Sequence, residues 1–197
     1  MSKQNRSEHS APSVPLPSGT YRRVPIRPVL LKPASLLSRR AREIDPRAPG
    51  VLQLAEELLT TMRASPACIG LAAPQIGESV RMFAMDVTGH RAARSCAGLV
   101  LMVNPRIVRH AGWIEMREGC MSVPDFTGDV WRYEQVVVEG FEPGSTRVLR
   151  ITADAMEARC LQHEIDHLDG YTFIERTEDL FVRKTYAGTT PQTRCRD

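Results

Sequence analysis

Gln162-His163-Glu164-Ile165-Asp166-His167-Leu168-Asp169-Gly170 is the stretch around which the rest of this chain is read. Upstream, Met156, Cys160, Leu161, Ile165 and Leu168 recur at three- and four-residue spacing, which predicts a helix over about 155–168. Asp154, with Glu157 three residues on, is a capping-box-like start, and Gly170 is a natural stop. His163 and His167 lie four apart, so they share a helix face and both imidazoles reach one metal ion. Glu164 sits beside the first histidine and can reach a water on the same ion. A metal lowers the pKa of such a water toward neutrality, and a nearby carboxylate takes its proton.

Two histidines and a carboxylate base need a third protein ligand. One class of metalloprotease places a third histidine six residues after the second, but here that position is Phe173, which excludes the class. His90, His110, Glu175, Glu178 and Cys120 remain as candidates. Cys120 sits in Glu118-Gly-Cys-Met-Ser122, ahead of Pro124, an irregular segment from which a thiolate can ligate a metal. A third segment, Gly70-Leu-Ala-Ala-Pro-Gln-Ile-Gly77, has small residues and glycines that let a backbone approach closely, and Gln75 offers an amide donor from it.

The chain has 197 residues, 42% hydrophobic and 25% charged, which fits one globular domain and excludes collagen-like or wholly disordered chains. No apolar run reaches the length of a transmembrane helix or a signal-peptide core. Net charge is +3 but uneven: residues 1–42 carry nine basic residues and one acidic, and residues 43–197 carry 17 basic and 22 acidic. Residues 1–26, rich in Pro and Ser, are expected to be a disordered basic arm. The expected domain is 27–185, and 186–197 a short flexible tail. Five scattered cysteines with no leader point to a reducing compartment, and the cytoplasm is expected, with a mitochondrion or plastid as the alternative.

A second helix is predicted from Val51, with Val51, Leu52, Leu54, Ala55, Leu58, Leu59 and Met62 on one face and Pro66 and Gly70 closing it. Strands are expected at 80–87, 99–103 (stopped by Asn104-Pro105), 113–116, 130–138 and 147–151. Turn-rich spacing makes the pairing mainly antiparallel. The fold class expected is therefore α+β, with the strands packed around the HExxH helix.

Taken together, the three segments resemble the motifs of the peptide deformylase family: a loop ending in AAxQ, an EGCxS segment and a QHExDHLxG helix, in that order. The resemblance covers about residues 28–176 and departs once, where Cys68 replaces the leading glycine of the first motif. It implies removal of the formyl group from N-formylmethionyl chains, with formate released. It implies Cys120, His163 and His167 as ligands of Fe²⁺, for which Zn²⁺, Ni²⁺ or Co²⁺ can substitute. Glu164 would act as base and then acid, and Gln75 and the Met121 backbone N–H would serve the oxyanion. Ile69, Met116, Met121 and Cys160 would line the methionine pocket, with the peptide along Ile69, Gly70 and Gly119. Glu118 and Asp166 are candidates to accept the second N–H of the histidines. Nascent formylmethionyl peptides are the implied partners, with transient ribosome contact and neither membrane nor DNA. A zinc endopeptidase built on the same helix, or a structural metal domain that binds RNA, are the competing readings.

Overall fold

The structure, a computed structural model, describes residues 24–183, so nearly all of the expected arm and all of the expected tail lie outside the described residues. The apolar stripe from Val51 forms helix α1, Val51–Ala64. Strands β1 (Gly70–Ala72), β2 (Met82–Met85), β3 (Val100–Ala111), β4 (Ile114–Cys120), β5 (Val123–Arg132), β6 (Gln135–Phe141) and β7 (Val148–Asp154) follow. Helix α2 spans Ala155–Asp169, and a short strand β8, Leu180–Val182, ends the described chain. Every ladder is antiparallel, in a five-stranded sheet ordered β1-β2-β3-β6-β7 and a three-stranded sheet ordered β4-β5-β8. The α+β, mainly antiparallel expectation matches this architecture. No helix among the described residues is long and apolar enough to cross a membrane.

Strand β2 shows why the sheet sits between helices. Its four residues are all buried, and alternate side chains point to opposite faces. Phe83 and Met85 join Met156, Leu161, Ile165 and Leu168 of α2, whereas Met82 and Ala84 join Val51, Leu58 and Met62 of α1. A continuous apolar run is what a strand covered on both faces requires.

Three local expectations are corrected. Strand β3 does not stop at Asn104-Pro105 but runs on to Ala111 through a register shift between Val103 and Arg106. Asn104 adopts a φ of 50° there, and its side chain bonds both Ile44 N (3.1 Å) and Ile44 O (2.8 Å). A bulge leaves Pro105 without a ladder bond to donate, so the proline is tolerated. The single strand expected over 130–138 is two, β5 and β6. The break falls at Tyr133, whose backbone N–H and C=O both bond the Gln162 side chain at 2.9 Å. The capping box at Asp154 does not form. Asp154 instead accepts from Ser95 N (2.9 Å) and Glu157 from Ala97 N (2.5 Å), so both carboxylates hold the loop before β3.

Gly170 ends α2 with a φ of 85°, against the backbone of Arg39, where a Cβ would lie 2.8–3.1 Å away. The N-terminal segment beyond Arg27 stitches two of the sequence motifs together: Leu30 N donates to Gln75 O (2.7 Å) and Lys32 N to Ser122 O (3.0 Å). Lys32 Nζ in turn pairs with Glu175 (2.5 Å), beyond the end of α2. Burial raises the Glu175 pKa, but Lys32 and the Thr172 donors overcome this and bring it to about 2. A depressed carboxylate stabilises the fold above its ordinary pKa, and that stability is lost as pH falls. Glu175→Gln is therefore expected to lower the melting temperature by about 1–4 °C near pH 7, the scale of one partly exposed ion pair. The gap to the unsubstituted protein should close between about pH 4.5 and 2. A gap that stays constant in thermal melts across that range would show that the ionised pair is not its source.

Candidate metal centre

Helix α2 and the end of β4 bring three distant side chains together. One ligand atom from each of Cys120, His163 and His167 lies within 4.8 Å of the others. Cys120 Sγ is 3.2 Å from His167 Nε2, and the two imidazole rings stand edge to face with centroids 4.9 Å apart. On β4, Met116, Glu118 and Cys120 face inward at period two, and the tight turn at Met121-Ser122 reverses the chain into β5. His163 Nδ1 bonds Glu118 Oε2 at 2.9 Å, which leaves its Nε2 for the cluster. Among the described residues two buried polar atoms have no partner, and both belong here: Glu164 Oε2 and His167 Nδ1. One sulfur and two imidazole nitrogens that converge beside unpaired polar atoms fit a divalent transition ion, and the set suits Fe, Zn, Co or Ni alike.

The charges around the cluster are set from behind. Arg132 is buried and donates to Glu118 through Nε (2.8 Å) and Nη2 (2.9 Å), and to Asp166 through Nη1 (2.5 Å). Arg176 adds Nη2 to Asp166 Oδ1 at 2.8 Å. Burial raises the Glu118 pKa, but Arg132 and His163 bring it down to about 2. Burial pushes the Cys120 thiol up, yet His167 and His163 beside it hold it well below its ordinary value. Burial lifts Glu164 to about 7, against the opposing pull of both histidines. Because metal ligands must be deprotonated, protons held in this cluster leave as a metal enters.

A cleft of about 240 Å³ opens over the cluster, between β1 and β4, with α2 as its floor. Ile69, Gly70, Gln75, Gly119, Cys120, Met121, Cys160, His163 and Glu164 line it, as do His90, Met156 and Arg159. Met116 does not: it is half-buried on β4 opposite Val130, four residues before Cys120, and Met156 of α2 lies in the cleft wall instead. Gln75 is buried, and its Oε1 accepts from Ala72 N (2.9 Å). Its Nε2 points to Ser122 Oγ (3.1 Å) and Cys120 Sγ (3.5 Å). Cys68 also lines the cleft, with its thiol donating to Gly70 O at 3.1 Å. Burial pushes its pKa up to about 12, so it is a wall rather than a reactive thiol.

The other candidate ligands stand outside the three-residue cluster, His90 at the cleft wall and the rest away from it. His110 stacks on Tyr133 with ring centroids 3.8 Å apart, His90 Nδ1 accepts from Ala92 N, Glu175 is held by Lys32 and Thr172, and Glu178 is exposed. Of the two carboxylates considered behind the histidines, Glu118 touches His163, whereas Asp166 is bonded to Arg132 and Arg176. Sequence reasoning missed Arg132. Its only local signal is a charge at an inward position of β5, two residues from the fully buried Val130.

The polypeptide deformylase family profile matches residues 26–181. The peptide deformylase of Symbiobacterium thermophilum is 36% identical over 152 residues, 77% of this chain and 67% of the relative. That of Carboxydothermus hydrogenoformans is 38% identical over 149 residues, 76% of this chain and 91% of the relative. Among solved structures, the peptide deformylase of Legionella pneumophila superposes with a TM-score of 0.71 at 34% identity, covering 78% of this chain and 87% of that one. The Thermotoga maritima enzyme gives 0.69 at 27%, covering 78% and 99%. The endopeptidase and RNA-binding alternatives find no support in these matches. The chain belongs to the polypeptide deformylase family, metal-dependent hydrolases that remove the N-formyl group from newly made polypeptides.

Proposed function

We propose that Cys120, His163 and His167 hold the metal of this deformylase and that Glu164 moves the proton of the reaction. The observation that carries this reading is the convergence of one cysteine sulfur and two imidazole nitrogens within 4.8 Å, beside a buried carboxylate oxygen with no partner. A divalent ion in that cluster supplies Lewis-acid polarisation of the formyl carbonyl and acidifies water, and Fe²⁺ is the ion the family resemblance implies. One thiolate and two neutral imidazoles leave such a site with a net charge of about +1.

The chain's own groups do the rest. Strand β1 is an edge of the five-stranded sheet and β4 an edge of the three-stranded one, and both border the cleft. Edge strands carry unpaired N–H and C=O groups, so an extended peptide bonds Ile69-Gly70 on one side and Gly119 on the other. Main-chain bonds bind any sequence, which suits a substrate defined by its N-terminus. Ile69, Met121, Met156 and Cys160 give the first side chain a soft apolar wall, and flexible thioethers adapt to methionine. Gly70 must lack a side chain, because a Cβ there would lie 2.3 Å from Glu164 Oε1 and 2.9 Å from Cys160 Sγ.

Glu164, with a pKa lifted to about 7, takes a proton from the attacking water and returns it to the leaving amine, because a group poised near neutrality does both. Gln75 Nε2 is fixed beside Cys120 before reaction, and the Met121 backbone N–H lies in the adjacent turn. Donors placed in advance stabilise the charge that grows on the formyl oxygen. Arg132 and Glu118 keep His163 oriented through its Nδ1. Formylmethionyl peptides arise where translation starts with formylmethionine, so the enzyme works in bacterial cytoplasm, in transient contact with the translating ribosome. The bacterial origin of the relatives supports that placement.

Formate release from a short formyl-Met peptide, by protein purified without oxygen and loaded with Fe²⁺ or Ni²⁺, tests the reading. Glu164→Gln is expected to keep its metal and fold and to lose about 10²–10⁴-fold in kcat. Full activity in that variant, or no formate from the metal-loaded parent, would refute it. Arg132→Met strips Glu118 and Asp166 of their buried cation and is expected to cost about 3–5 kcal/mol in denaturant unfolding of the metal-free protein. A loss under about 1 kcal/mol would show that the network is not structural.

A further inference from the structure

Arg159 stands on α2 four residues before His163, so the two side chains leave the same helix face about 5–6 Å apart at Cβ. It lines the cleft and is half-buried. Its hydrogen bonds go only to the Arg117 carbonyl (3.2 Å) and the Met156 sulfur, and no carboxylate pairs with it among the described residues. A guanidinium carries five N–H donors, and a partly buried one usually faces a carboxylate or phosphate. Burial without a paired carboxylate lowers its pKa below the usual arginine range.

The neighbouring cations sharpen the point. Arg117 lines the same cleft, but it is spent on a bidentate pair with Asp129 (2.5 and 2.9 Å). Arg183 lines the mouth with an exposed side chain, and His90 adds a ring. The carboxylates lining the cleft are Glu118, already paired with Arg132, and Glu164 at the cluster. The mouth is thus positive, on a body in which residues 43–197 carry 17 basic and 22 acidic residues.

We propose that Arg159, with Arg183 further out, forms an anion subsite that takes a carboxylate of the bound peptide, so that this enzyme favours formyl-Met chains with Asp or Glu in the two positions after the methionine. The proposal rests on the deformylase reading of the same cleft. Arg159 here is a specificity-determining group, separate from the atoms that break the formyl bond. The charge pair forms in a partly desolvated cleft, where such pairs add affinity and suppress wrong partners.

The test uses the full-length, metal-loaded protein and formyl-Met peptides that place Glu, Gln or Lys in turn at the second and third positions. Glu is expected to raise kcat/KM about three- to tenfold over Gln through KM, with kcat nearly unchanged, and Lys to fall below Gln. Raising NaCl to about 0.5 M should erase the difference by screening. Arg159→Gln should abolish the Glu-to-Gln ratio, Arg159→Lys should keep part of it, and Arg183→Gln should reduce it. A merely structural role would lower turnover of every peptide equally and leave the ratio intact. Equal KM values for Glu and Gln peptides at both positions, with both hydrolysed, would overturn the subsite and spare the deformylase reading. No hydrolysis of any peptide would overturn both.

Discussion

A single buried arginine carries the site. Arg132, on β5, holds Glu118 on β4 with two hydrogen bonds and Asp166 on α2 with a third. Burying two carboxylates and a guanidinium is costly, and such a set often stabilises a fold no better than apolar residues of the same volume would. What it supplies here is position. Glu118 meets His163 Nδ1 at 2.9 Å, so the ring is turned with its other nitrogen toward Cys120 and His167. Asp166 lies between the two histidines on the same helix, so one cation fixes the helix against the strand that provides the sulfur. Arg176 reinforces that link from the segment after α2.

The arrangement of the sheets follows from this link. The three-stranded sheet meets the rest of the domain where β4 approaches α2, and the cleft is the gap left between its edge and β1. Two sheets that faced each other with paired edges would offer nothing to an incoming chain. Unpaired edges on both sides leave backbone donors and acceptors free, which is what the proposed binding of an extended peptide requires, and the absence of a side chain at Gly70 leaves room for Glu164 and Cys160. Cys68, the one departure from the first motif, contributes wall rather than reactivity, because burial keeps its thiol protonated.

The parts of this structure that were legible in the sequence are those governed by local spacing. The stripe of α2, its stop at Gly170 and the four-residue step between the histidines can be read directly, and so can the stripe of α1. The proposed third ligand cannot, since nothing local separates Cys120 from His90 or Glu175, and only the resemblance singled it out. Arg132 was invisible for a similar reason: its partners lie 14 and 34 residues away. The missed continuation of β3 has a different cause. Asn104-Pro105 is a sound stop signal in isolation, and the side-chain bonds to Ile44 that override it come from 60 residues away. Asp154 and Glu157 likewise read as a local cap, but the loop at Ser95–Ala97 competes for their carboxylates and wins. Met116 shares the inward face of β4 with Cys120, but it stands opposite Val130 of β5, and Met156 of α2 takes the place in the cleft wall.

The most direct measurement is X-ray absorption at the metal edge of the full-length protein loaded without oxygen with Fe²⁺ or Co²⁺. One sulfur at about 2.3 Å and two imidazole nitrogens at about 2.0–2.1 Å are expected, with a light-atom ligand completing the set. A shell of nitrogen and oxygen alone would contradict Cys120 as a ligand, and with it the centre on which this reading of the cleft depends.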